Sequence, residues 1–116
     1  MFDSKNCTYI LTILEAIEKI LYYSQDFDDE EEFYFASKQL YFNATFNLLI
    51  TIGEENKKID DKLKTSKLIN WKNISAMRDK ISHNYRGIDE SMVWDIIVNY
   101  LPRLKIALTH IHHMKF

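Results

Sequence analysis

Between Met77 and Asp89 the chain reads Met-Arg-Asp-Lys-Ile-Ser-His-Asn-Tyr-Arg-Gly-Ile-Asp, placing a guanidinium (Arg78), an imidazole (His83) and a phenol (Tyr85) close together on one amphipathic stretch. Each type suits one part of phosphoryl chemistry. The guanidinium is always charged and its planar fork can hold two phosphate oxygens at once. The imidazole has an unperturbed pKa near neutrality and can move a proton. A nuclease working without a metal needs those two roles filled, one group to stabilise charge on the phosphoryl oxygens and one to take the proton of the attacking hydroxyl. The spacing Arg-x4-His is weak evidence taken alone, because a helix C-terminus with a solubilising Arg and a His facing the dipole reads the same way. Five residues also turn an ideal helix through about 140°, so Arg78 and His83 converge only if the helix tightens or ends near His83.

The elements that must position these groups are helical. Ile10, Ile13, Leu14, Ile17, Ile20 and Leu21 recur at helical spacing between Thr8 and Tyr23, with Glu15 and Lys19 as a favourable i,i+4 pair. The acidic run from Asp26 to Glu32 reads as a loop leading into a helix N-terminus, where carboxylates meet the positive end of the dipole. It lacks the alternating ligands and central Gly of a calcium loop. From about Phe33 to Ile59 a single long helix is expected, carrying Phe33, Ala36, Leu40, Ala44, Leu48 and Ile52 and widened by Tyr41, Phe46 and Leu49. Gly53 inside it marks either fraying or the close approach of another backbone. Asn43, Asn47 and Glu54 share one side of that helix, which is either its solvent edge or the wall of a pocket facing Arg78 and His83.

Residues 60–67 form a Lys-rich connection without periodicity. Asn70 is expected to cap the next helix, with Ile69 and Ile74 as a hydrophobic staple and Trp71, Ile74, Met77 and Ile81 as the buried stripe; Gly87 would end it. Asp89 then caps a last helix, stapled by Ile88 and Val93, whose face runs through Ile96, Ile97, Tyr100, Leu101, Leu104, Leu108 and Ile111. Pro102 falls within that face and predicts a kink, not a break, since the periodicity continues past it. The fold class is therefore all-α, an antiparallel bundle of four to five helices in one domain over residues 1–116. At 116 residues, with 47% hydrophobic and 28% charged residues, 2 Gly and 1 Pro, the composition is that of one globular domain rather than of a turn-rich β-structure.

Charge is distributed unevenly. Residues 1–61 hold 5 Lys/Arg against 13 Asp/Glu, whereas residues 62–116 hold 10 against 4, so the motif lies in the basic half. A local positive field suits a polyanionic substrate. Cys7 is the single cysteine and cannot form an internal disulfide; with no charged-then-apolar leader and no apolar run of membrane-spanning length, a cytoplasmic protein is expected, with no membrane association. His110, His112 and His113 invite a zinc reading, but no Cys and no convincing carboxylate accompany them and a helix end with His–dipole contacts is favoured.

The words Leu49-Ile50-Thr51-Ile52-Gly53-Glu54-Glu55-Asn56, Ile69-Asn70-Trp71-Lys72-Asn73-Ile74, Met77-Arg78 through Asp89, Val93-Trp94 and Leu101-Pro102-Arg103-Leu104-Lys105 together resemble, in this order and over essentially the whole chain, the HepT-like toxins of the HEPN superfamily. The resemblance implies a HEPN-type bundle that forms a homodimer, bringing the Arg and His of both subunits into one cleft. It further implies a prokaryotic endoribonuclease toxin that uses no metal or other cofactor, and a minimal nucleotidyltransferase as cognate antitoxin, which neutralises it by transferring AMP to the motif tyrosine. Carried over by position, Arg78 and His83 are the catalytic pair and Tyr85 the AMP acceptor, with Asp79, Asn47, Glu54 and Arg86 as supporting residues. Asp79 stands where the family most often has Asn, and a carboxylate beside the phosphate-binding Arg opposes an anionic substrate. Arg86 stands where an aromatic residue is common and adds positive charge. A different class of function, a non-catalytic module that helps a nucleotidyltransferase recognise its substrate, is the alternative.

Overall fold

In the computed structural model of the chain the described residues are 4–65, 67, 69–83 and 90–116. They form an all-α bundle, with no strand among them. Helix α1 (Ser4–Ser24) buries Ile10, Ile13, Ile17 and Ile20 of the expected stripe and leaves Leu14 and Leu21 partly buried at its edge. Its principal neighbour is α3 (Leu40–Lys58), and it also packs on α6 (Leu101–Lys115), to which Glu18 and Lys105 tie it at 3.8 Å. Asn6, near the start of α1, accepts the backbone N–H of Asp60 at 2.8 Å and so satisfies a donor just past the end of α3.

The acidic run does lead into a helix. Asp29 caps α2 (Glu30–Phe35) by accepting the Glu32 N–H at 2.9 Å, while the Glu32 carboxylate reaches back to the Asp28 N–H at 3.2 Å. The single long helix expected from Phe33 to Ile59 is not formed. A short 3-10 turn, Ala36–Gln39, separates α2 from α3, and Ser37, Lys38 and Gln39 all take positive φ (49°, 56° and 70°). Three consecutive left-handed residues without Gly cost roughly 1–2 kcal/mol each. What offsets this is the aromatic packing obtained by folding α2 back: Phe33 stacks edge-on against Phe27 and tilts against Trp94, and Tyr34 stands edge-on to Phe42 at 4.7 Å. The break also resets the helical phase. Leu40, expected in the core, is 62% exposed, and the residues α3 buries are Phe42, Thr45, Phe46, Leu49, Ile52, Gly53 and Asn56.

Residues 60–67 are less featureless than their composition: Leu63 is buried and begins a 3-10 turn, Leu63–Thr65. Helix α4 (Trp71–His83) starts where expected, with the Asn70 side-chain carbonyl accepting the Asn73 N–H at 3.3 Å and with Ile69 and Ile74 both buried. Its buried residues are Trp71, Ile74, Met77 and Ile81, the stripe its spacing predicts, and it lies against α3. The expected stop at Gly87, the Asp89 cap and its Ile88 staple lie outside the described residues. From α5 (Glu90–Asp95) the chain passes through a turn of π-helix, Ile96–Tyr100, into α6 as one helical run. The wide turn closes with the Leu101 N–H on the Ile96 carbonyl, immediately before Pro102. Pro102 thus sits in the first turn of α6, where its missing donor is tolerated, and Val93, Ile97, Leu101, Leu104, Leu108 and Ile111 stay buried across the junction. No described helix is long and apolar enough to cross a membrane.

Candidate active site

Helix α4 carries Arg78 on the flank of its buried stripe, pointing at α3. The seat is Gly53: a Cβ there would meet Arg78 Cβ and Cγ and lie 3.5 Å from Arg78 Cα. The glycine within α3 is thus explained by close approach, not fraying, and the group that approaches is the arginine of the motif. With its stem pressed on Gly53, Arg78 has a buried Nε without a hydrogen-bond partner among the described residues, and its side chain is only 26% exposed. The two terminal nitrogens are held by carboxylates, Nη2 lying 3.7 Å from Glu54 Oε1 and Nη1 3.3 Å from Asp79 Oδ1. Both carboxylates are about half exposed, so these are weak, exchangeable pairs that orient the fork without sequestering it.

His83 is exposed at the end of α4, and its Nδ1 lies 2.7 Å from the backbone carbonyl of Asp79. A carbonyl oxygen only accepts, so Nδ1 carries the hydrogen of this bond. In the neutral ring the lone pair is then on Nε2, the nitrogen turned away from the helix, which is the arrangement a general base needs. Arg78 and His83 do not touch each other within one chain. They share Asp79, the arginine through its carboxylate and the histidine through its carbonyl.

Of the supporting residues expected from sequence, Asp79 and Glu54 meet Arg78 directly. Asn47 is exposed on the same side of α3 as Glu54, about 10 Å further up the helix at 1.5 Å per residue. Its backbone carbonyl accepts the Thr51 hydroxyl at 3.2 Å. Tyr85 and Arg86 lie outside the described residues. The sequence reading missed the role of the Asp79 carbonyl, which no side-chain pattern reveals. It also left the C-terminal histidines without a cysteine, whereas Cys7 Sγ comes within 3.4 Å of His112 Nε2 across the α1–α6 contact. Among the described residues no three His, Cys, Asp or Glu side chains group as metal ligands would.

Residues 13–111, which include this arrangement, match the family model described as Ribonuclease HepT-like. The chain belongs to the HepT-like ribonuclease family. Curated relatives agree with this. A Thermococcus cleftensis protein named "Probable ribonuclease HepT" is 33% identical over 98 residues, covering 84% of this chain and 86% of that one. A Methanocaldococcus jannaschii protein named "Putative RNase MJ0127" is 30% identical over 95 residues, 81% of this chain and 76% of that one. No solved structure matches the chain. The family description and the relatives' names support an RNase.

Proposed function

We propose that this HepT-like chain is a metal-independent endoribonuclease that works as a homodimer and serves as the toxin of a toxin–antitoxin pair. The observation that carries the reading is the pairing at Asp79, which holds the Arg78 fork and the His83 ring on one end of α4 with Nε2 free to take a proton. RNA brings its own nucleophile, so the protein has only to place a phosphate, move protons and stabilise charge. His83 Nε2 takes the proton of the 2′-hydroxyl as that oxygen bonds to phosphorus. Arg78 steadies the non-bridging oxygens, and the bond from phosphorus to the 5′-oxygen breaks. The departing oxygen takes a proton from an imidazolium, giving a 2′,3′-cyclic phosphate and a 5′-hydroxyl. One chain offers one imidazole, so a two-fold cleft in which a second copy supplies the acid completes the cycle.

In this reading a nucleotidyltransferase silences the toxin: the Tyr85 phenol attacks the α-phosphorus of ATP, pyrophosphate leaves, and an AMP two residues from His83 fills the cleft with bulk and negative charge. The deciding experiment measures cleavage of a single-stranded RNA by the parent chain, Arg78→Ala and His83→Ala. Loss of a proton-transfer group typically costs about 10² to 10⁴ in rate, and a comparable drop is expected for both variants. Parent-like cleavage by His83→Ala means another group is the base. Intact-mass analysis after incubation with ATP and the cognate nucleotidyltransferase should show one added AMP, absent in Tyr85→Phe.

A further inference from the structure

A second concave surface begins where the Arg78 site ends. A groove of about 910 Å³ lies between the 3-10 turn after α3 and the first two turns of α4, and its far edge is Asp79, the residue that contacts both Arg78 and His83. Three of its lining residues are Lys64, Lys67 and Lys72, and among the described residues no carboxylate lies within ion-pair distance of any of their ammonium groups. Asp61 and Asp79 also line it, leaving the groove net positive in a protein whose overall charge is -2.

Asn56, 1% exposed, fixes the groove's wall: its amide nitrogen donates to the Trp71 carbonyl at 3.4 Å and the Ser75 hydroxyl at 3.2 Å, joining α3 to the start of α4. On α4, Lys72, Ser75, Ala76 and Asp79 fall at i, i+3, i+4 and i+7, so the groove follows one helix face for about 10 Å up to the reactive end.

We infer that this groove carries the RNA strand on one side of the scissile phosphate, with Lys64, Lys67 and Lys72 holding its phosphates. Lysines suit backbone contacts because the phosphate charge is independent of sequence. The inference rests on the RNase reading and extends the same site.

The test uses the full chain with His83→Ala, so that RNA is bound but not cut, and a labelled single-stranded RNA of mixed sequence titrated at several salt concentrations. Replacing Lys64, Lys67 and Lys72 with Ala is expected to weaken binding about tenfold or more at low salt. It should also reduce the slope of log affinity against log salt by about 2, three single-strand phosphate contacts at about 0.7 each. A control lacking Lys38, Lys105 and Lys115, which do not line the groove, loses the same charge and should change the slope by less than 1. Equal effects of the two triple variants, or an unchanged slope in the first, overturn the inference while leaving RNA cleavage by the parent chain intact. A parent chain that binds no RNA overturns this inference and the RNase reading together.

Discussion

Asp79 is the residue on which the candidate site turns, and it acts through two different groups. Its backbone carbonyl fixes the His83 tautomer and would do so whatever the side chain, whereas its carboxylate competes with a phosphate for Arg78. Asp79→Asn therefore keeps the imidazole geometry and removes only the competitor. An exposed ion pair of this kind is worth about 0.2–1 kcal/mol, so KM for RNA should fall by up to about fivefold with kcat little changed. Steady-state cleavage kinetics check this; a raised KM would show that the carboxylate orients the fork more than it opposes the substrate. Arg78→Lys should behave almost as Arg78→Ala in the same assay, because an ammonium lacks the second arm of the fork and cannot reach Glu54, Asp79 and a phosphate from one stem.

Among the elements, the contact of α3 with α4 decides the site, and Gly53 is where that contact is closest. Gly53→Ala sets two effects against each other. Alanine gains about 1 kcal/mol of helix propensity over glycine. The new methyl, however, meets the root of the Arg78 side chain and not its flexible end. Relief needs the helices to part, and overpacking of that kind costs about 1–3 kcal/mol. The net expectation is a lower Tm in thermal unfolding followed by circular dichroism, together with reduced cleavage from a displaced Arg78; a raised Tm would mean the helices yield without cost. The neighbouring elements divide by how local their causes are. α4 was legible in sequence because an Asn cap and one clean apolar stripe specify it within its own length. The break between α2 and α3 was not, because Phe33, Ala36, Leu40 and Ala44 continue one helical register and neither Gly nor Pro interrupts them. What breaks the helix there is the packing of Phe33 and Tyr34 on residues further along the chain, Trp94 and Phe42.

In the whole molecule the basic half of the sequence supplies α4, α5, α6, the Arg78 fork and the three lysines of the groove, and the acidic half supplies α1, α2 and all of α3. Lys64, Lys67 and Lys72 in the groove give an anionic strand a local positive field beside Asp79 and Arg78. If catalysis requires a base from one copy and an acid from another, activity belongs to the dimer. Specific activity should then fall on dilution in step with the dimer fraction measured by analytical ultracentrifugation. Activity per chain that stays constant where the chain is monomeric would show that a single imidazole suffices.

The chain alone determined that the protein is helical, where α1 and α4 lie and which of their residues are buried, and which side chains could handle a phosphodiester, because those properties follow from local periodicity, caps and residue chemistry. Tertiary structure decided what faces Arg78, why a glycine lies within α3, which imidazole nitrogen holds the proton and where the second helix breaks. Each of these depends on the distance between groups that the sequence keeps apart or on a backbone carbonyl that every residue possesses, so no pattern of side chains could have announced it.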